Sequence, residues 1–273
     1  VNTLSSHDLD EVARTLIEIA REAAALVHAG WRTGVEIEHK GAIDLVTRFD
    51  RASEDLLRAR FRERLPGFDV VAEESGGAPS GDRPVLWADP LDGTTNFAHG
   101  HPFFCVSIGL LDGATPLAAA VVAPALSVEY RAARGSGAWR NDVACGVSRT
   151  DELRESLLAT GFPYDSHTRD ENNLREFCAL TRRTQGVRRC GSAALDLCLT
   201  AEGTYDAYWE AKLKPWDVAA GALVVLEAGG ALSDLDGNTV DVRAGSLLAS
   251  NGRIHDAVLR ALRAVREAPQ ITV

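Results

Sequence analysis

From Asp8 to about His28 the apolar residues Leu9, Val12, Leu16, Ala20, Ala23 and Val27 recur at spacings of three and four, which places them on one face of an α-helix. Asp8 and Glu11 are spaced like a capping box at its start, and Gly30 and Gly34 stand where such a helix stops. Val35-Glu36-Ile37-Glu38 alternates apolar with polar, as a short strand does. A second helix is predicted from Thr47 to Leu65, ended by Pro66-Gly67. Short apolar runs of the strand kind follow: Phe68 to Ala72, Val85 to Ala88, Phe103 to Leu111, Leu117 to Ala123 and Val128 to Ala132, with Asp112-Gly113 as a hairpin turn.

After the punctuation at Gly135-Ser136-Gly137, helices are predicted around Leu174 to Arg183 and Ser192 to Ala201, and a strand from Tyr205 to Glu210. Pro215 takes the place of a first-turn proline and opens a helix through Leu226 to the Gly229-Gly230 stop. Leu247 to Ser250 and a helix from Ile254 to Arg266 complete the chain. Helices and strands are mixed without strict alternation or internal repeat, so the fold class is α+β, in stacked layers. Residues 1–273 read as one domain, with a seam near Thr150 separating 1–150 from 151–273.

Composition narrows the function. The chain has 273 residues, 45% of them hydrophobic, enough for a large core. Asp and Glu number 39 against 29 Lys and Arg, a formal charge of -10, so nucleic acid and anionic membrane surfaces are excluded as partners. A bound phosphate ester would need cations or local basic groups to offset that charge. Five cysteines, Cys105, Cys145, Cys178, Cys190 and Cys198, show no C-x-x-C pair, and no apolar run approaches the length of a membrane span. The expectation is a soluble, untargeted protein of the reduced cytoplasm.

The acids carry the chemistry. Glu73-Glu74 follows the run ending at Ala72, and Asp89 follows the one ending at Ala88, so these carboxylates sit where buried strands emerge. Asp92 lies three residues after Asp89, with Pro90 stiffening the turn. Two carboxylates held that close share a proton or a cation, and hard oxygen donors select Mg²⁺, Mn²⁺ or Ca²⁺. Gly93 permits a close backbone approach, and Thr94-Thr95-Asn96 would offer N–H groups to phosphate oxygens if a helical turn begins there. Asp112-Gly113 and Asp236-Gly237 show that Asp-Gly alone marks only a turn, and Asp234 to Asn238 lacks the glycine and glutamate positions of a calcium loop. Asp217 falls in the first turn of an apolar helix, where it either complements the helix dipole or joins the other acids.

Asp44-Leu45-Val46-Thr47-x-x-Asp50, Glu73-Glu74-Ser75, Asp89-Pro90-Leu91-Asp92-Gly93-Thr94-Thr95-Asn96-Phe97 and Trp216-Asp217-x-Ala219-Ala220-Gly221, in this order and separation, resemble the motifs of the inositol monophosphatase family, within the group that includes fructose bisphosphatases. The resemblance runs from about Leu9 to the final helix. It implies a layered αβαβα sandwich and a Mg²⁺-dependent, lithium-sensitive hydrolase of small phosphate monoesters, acting as a homodimer. Glu73, Asp89 and the Leu91 carbonyl would hold one Mg²⁺; Asp89, Asp92 and Asp217 a second; and a third, weaker ion would lie near Glu73. Thr94 and Glu73 would orient the attacking water, Asp50 would hydrogen-bond Thr94, and the Gly93 to Thr95 amides would hold phosphoryl oxygens during direct in-line attack. Ser192, Ala193 and Glu210 match positions beside the substrate ring, with Asp92 and Asp217 nearby, and Lys40, Glu74 and Arg189 are secondary candidates. The Thr95-Asn96-Phe97 ending favours inositol monophosphate as substrate. The rivals are fructose 1,6-bisphosphate or several sugar phosphates, then histidinol phosphate, then a non-catalytic interaction role. His99 and His101 read as loop residues at the site entrance, and Cys198 as core.

Overall fold

The computed structural model describes residues 5–34, 37–39, 45–81, 83–169 and 172–267. Helix α1 (Ser6–Gly30) is capped one turn earlier than the sequence spacing predicts: Asp8 Oδ2 accepts from Ser5 N at 2.9 Å, and Ser5 Oγ accepts from Asp8 N at 3.2 Å, so Ser5 and Asp8 form the capping box in place of Asp8 and Glu11. Strand β1 (Ile37–His39) pairs antiparallel with β2 (Leu45–Thr47), which leads directly into α2 (Arg48–Arg64). Thr47 and Asp50 form a second capping box there.

Strands β3 (Asp69–Ala72) and β4 (Val85–Asp92) are followed by the short helix α3 (Thr94–Ala98). Strands β5 (Cys105–Asp112), β6 (Thr115–Ala123), β7 (Val128–Ala133), β8 (Gly137–Arg140) and β9 (Val143–Ala144) then form a meander, with Asp112-Gly113 at the β5–β6 turn. The seven-stranded sheet runs β3-β4-β5-β6-β7-β8-β9, parallel only between β3 and β4.

Strand β10 (Leu157–Thr160), helix α4 (Leu174–Thr181), β11 (Gly186–Arg188), α5 (Ala193–Ala201), β12 (Ala207–Glu210), α6 (Pro215–Glu227), β13 (Ala231–Ser233), β14 (Leu247–Ser250) and α7 (His255–Glu267) follow. Their five strands form a mixed sheet in the order β11-β10-β12-β14-β13. The sheets change over between β9 and β10, across Thr150.

Strand alternation builds the layers. Leu86, Ala88, Ile108 and Ala120 face α1 and α2 in one buried cluster, while Cys105, Ala119 and Val121 face α5 and α6 in another. In the second sheet Ala159, Tyr208 and Ala249 join that same central cluster, whereas Leu158, Trp209 and Leu248 point outward to α4 and α7. The result is the αβαβα sandwich, with α5 and α6 shared by both sheets. Close contact at the centre requires small residues: a Cβ on Gly109 of β5 would lie 2.6 Å from Ala219 Cβ of α6, and one on Gly221 would lie 2.5 Å from Leu197 Cβ of α5.

Candidate active site

Strand β4 runs on through the motif instead of stopping at Ala88. Its partners on β5 are Ser107 for Asp89 and Cys105 for Asp92, with an irregularity between. Pro90, which has no N–H to give a ladder, falls inside that irregular stretch. Asp89 is buried and its Oδ1 accepts from Leu91 N at 2.9 Å. The Leu91 side chain is fully buried, while its carbonyl faces back toward the turn and accepts from Thr94 Oγ1 at 3.0 Å. Gly93 has φ 93°, and a Cβ there would lie 2.9 Å from the Phe103 carbonyl oxygen, so both backbone conformation and space require glycine.

Helix α2 braces this loop with polar residues on its buried face. Asp50 Oδ1 accepts from Thr94 Oγ1 at 2.8 Å, while its Oδ2 accepts from Thr47 N at 2.8 Å and Thr47 Oγ1 at 2.6 Å. Ser53 Oγ donates to the Pro90 carbonyl at 2.9 Å. Glu54 accepts from Glu74 N at 2.8 Å, from Ser75 N at 3.1 Å and from the Ser75 hydroxyl, and pairs with Arg58 at 3.0 Å. These hydrogen bonds and Arg58 outweigh the upward push of burial and hold the Glu54 carboxyl below its ordinary range.

The second half of the chain closes the site. Lys214 N donates to Asp217 Oδ2 at 2.6 Å at the head of α6. Asp92 Oδ2 accepts from Ser192 Oγ at 2.6 Å and from Ala194 N at 2.9 Å, which ties the β4 loop to the start of α5. Asn96 Nδ2 donates to the carbonyls of Phe103 at 2.6 Å and Cys190 at 2.8 Å.

A cavity of about 620 Å³ is lined by Glu73, Asp89, Leu91, Asp92, Gly93, Thr94, Thr95, Ser192, Ala193, Glu210 and Asp217, with Arg189 and Asp196. Asp50 stands behind Thr94 and outside the lining, and the backbone of Glu74 is held by Glu54. His99 and His101 do not line the cavity, contrary to their expected place at the entrance; His99 caps α3, and His101 Nδ1 accepts from Phe103 N at 3.3 Å. Lys40 and Asp44 lie outside the described residues.

Burial comes first in raising the carboxyls. It pushes Asp89 well above its ordinary value, reinforced by the charges of Glu73, Asp92 and Asp217, and pushes Asp217 well up, reinforced by Asp92. Asp92 is pushed up to about 6 by burial, against the hydrogen bonds from Ser192 and Ala194. Glu210 is pushed up to about 7 by burial, opposed by the Tyr208 hydroxyl and the Arg189 charge. Four mutually repelling acids on one wall fit hard divalent cations by donor chemistry. Among the described residues no three His, Cys, Asp or Glu side chains stand close enough together to hold a metal ion as they are.

The model of the inositol monophosphatase family matches residues 8–267. The chain belongs to that family. It is 46% identical over 257 residues to "Inositol-1-monophosphatase" of Synechocystis sp., covering 92% of this chain and 90% of that protein. It is 41% identical over 235 residues to "Nus factor SuhB" of Pseudomonas aeruginosa, covering 84% and 86%. The solved inositol monophosphatase of Anabaena (Nostoc) sp. superposes with a TM-score of 0.86 at 41% identity, covering 94% of this chain and 97% of that one. As an inositol monophosphatase family member the protein is a phosphatase, a phosphoric monoester hydrolase.

Within this family member, sequence reasoning missed Ser53, Glu54 and Asp196. Ser53 and Glu54 fall with Leu57 and Phe61 on the buried stripe of α2, where a polar residue must find a partner. Asp196 is the single charge in the otherwise apolar run of α5. Both signals were present as polar residues at apolar positions.

Proposed function

We propose that this phosphatase hydrolyses myo-inositol monophosphate to inositol and inorganic phosphate, with Mg²⁺ as its cofactor. The observation that carries the reading is the convergence of Glu73, Asp89, Asp92 and Asp217, from three separated segments of chain, on the cavity that also holds the Gly93–Thr95 turn. Glu73, Asp89 and the Leu91 carbonyl would hold one ion, and Asp89, Asp92 and Asp217 another, with a third near Glu73. When bound, the cations offset the charge of the acids and of the phosphate and favour deprotonation of water.

The chain's own residues do the positioning. The Thr94 hydroxyl proton is directed to Asp50 Oδ1 and the Leu91 carbonyl, at 2.8 and 3.0 Å, which leaves its lone pairs to accept from a water. Glu73, on the same wall, is the second acceptor for that water, and the Gly93 to Thr95 amides receive phosphoryl oxygens as attack proceeds in line. Ser192, Ala193 and Glu210 lie against the leaving group, and Arg189 at the cavity wall supplies a positive charge.

A substrate panel with Mg²⁺ tests the reading: inositol 1-phosphate should be turned over faster than fructose 1,6-bisphosphate or histidinol phosphate, and the reverse order would move the assignment to a sugar phosphatase. The same reading makes the enzyme a lithium-sensitive homodimer of the cytoplasm. Among the described residues no helix is long and apolar enough to cross a membrane. Full activity in millimolar Li⁺, or a monomer in sedimentation, would count against the corresponding part.

A further inference from the structure

Asp196 lies on α5 among Ala194, Leu195, Leu197 and Cys198, which are packed in the central apolar cluster. The residue is 1% exposed, and its Oδ1 has no hydrogen-bond partner among the described residues. Burying a carboxyl without a partner costs on the order of 1–3 kcal/mol or more, so its retention calls for a group that meets it in use. Asp196 also lines the cavity, one helical turn beyond Ser192 and Ala193 and beside Glu210. The wall at this point is therefore backed by two carboxyls, Glu210 and the deeper-set Asp196, at the space beyond the phosphoryl turn.

The neighbouring charges describe what fits there. Burial, then Glu210 and Asp92, raise the Asp196 carboxyl well above its ordinary value, and Arg189 opposes them. The guanidinium of Arg189 is folded against the loop, with Nη1 2.7 Å from the position a Cβ on Gly191 would take. A carboxyl accepts hydrogen bonds whether or not it holds a proton, and the hydroxyls of a polyol donate them. A neutral, hydroxyl-bearing ring satisfies such a wall without adding charge.

We propose that Asp196 is a substrate-binding residue which, together with Glu210, hydrogen-bonds neighbouring hydroxyls of the leaving group and so sets a preference for polyol phosphates over phosphate esters without hydroxyls. The inference rests on the polyol-phosphatase reading above.

The test compares wild type with Asp196→Ala, Asp196→Leu and Asp196→Asn at saturating Mg²⁺, on inositol 1-phosphate and on p-nitrophenyl phosphate. Asp196→Ala and Asp196→Leu should lower kcat/KM for inositol 1-phosphate about tenfold or more, the loss of one or two hydrogen bonds. They should do so mainly through KM, and should leave p-nitrophenyl phosphate within about twofold. Asp196→Asn, which also accepts hydrogen bonds, should recover most of the loss. Inhibition by free inositol should weaken in parallel with KM. Parallel loss on both substrates, no loss on either, or a changed Mg²⁺ half-saturation in Asp196→Asn would overturn the assignment. If wild type turns over p-nitrophenyl phosphate and fructose 1,6-bisphosphate but not inositol 1-phosphate, the inositol reading fails. The same contrast on the bisphosphate then decides Asp196.

Discussion

Thr94 Oγ1 donates to Asp50 Oδ1 at 2.8 Å, joining the first turn of α3 to the first turn of α2. The same carboxylate caps α2 through Thr47, so the residue that starts the helix also fixes the hydroxyl aimed into the cavity. Local folding and site geometry are linked through one side chain.

Thr94→Ala is expected to lower kcat by about two to three orders of magnitude, the usual scale for removing one positioned polar group, with little change in melting temperature. Asp50→Ala should lower kcat and also cost about 1–2 kcal/mol of stability through the lost cap. Phosphate release and thermal melting of both variants check this. Wild-type kcat in Thr94→Ala would remove the hydroxyl from the mechanism.

Asp92→Asn should cut phosphate release by orders of magnitude, while the metal-free protein melts no lower than wild type. The substitution removes one charge from a wall where Asp89 and Asp217 repel it. A large drop in melting temperature would mean that the Ser192 and Ala194 hydrogen bonds outweigh that repulsion.

The pH dependence of stability follows from Asp92, raised to about 6, and Glu210, raised to about 7, both first by burial. Between their ordinary values and these, the folded protein binds protons that the unfolded chain has released. Their contribution to stability is therefore fully present below about pH 4 and is lost as pH rises through about 6 to 7. Metal-free protein should melt lower at pH 8 than at pH 5, by more in wild type than in Asp92→Asn. Mg²⁺, which binds deprotonated acids, should raise the melting temperature more at pH 8. A Mg²⁺ effect that shrinks with pH would contradict the cation assignment.

Glu54→Ala should weaken Mg²⁺ activation by shifting its half-saturation severalfold upward, because Glu54 holds the backbone that carries Glu73. Titration of activity with Mg²⁺ measures it. An unchanged midpoint with a lowered melting temperature would leave Glu54 a purely structural group.

Gly109→Val should destabilise the protein by about 1–3 kcal/mol or more and reduce activity, since a Cβ would lie 2.6 Å from Ala219 Cβ on the helix that carries Asp217. Melting and kcat report the two effects. A stable, fully active variant would show that α6 can shift without disturbing Asp217.

Periodicity in the sequence determined the long helices α1, α2 and α7, because each buries one repeating face. Helix α6 and the central strands β4 to β6, buried on both sides, were legible instead as continuous apolar runs bounded by Pro, Gly and Asp. Ordered acids and glycines likewise determined most of the wall: Glu73, Asp89, Asp92, Gly93, Thr94 and Asp217 lie on the cavity where the motifs placed them. Strands β2, β8, β9, β10, β11 and β13 were not read from the sequence, since segments of two to four residues carry at most a weak pattern, enough to mark β1, β3 and β12, and are fixed as strands by pairing. The capping of α1 moved to Ser5 because side-chain geometry, rather than the first apolar residue, sets where a helix begins. Only the tertiary structure decided which polar residues on apolar faces matter. Glu54 and Asp196 read in sequence as interruptions of a stripe, and it is the packing of α2 behind the β4 loop and of α5 between two sheets that gives one a backbone to hold and turns the other toward the cavity.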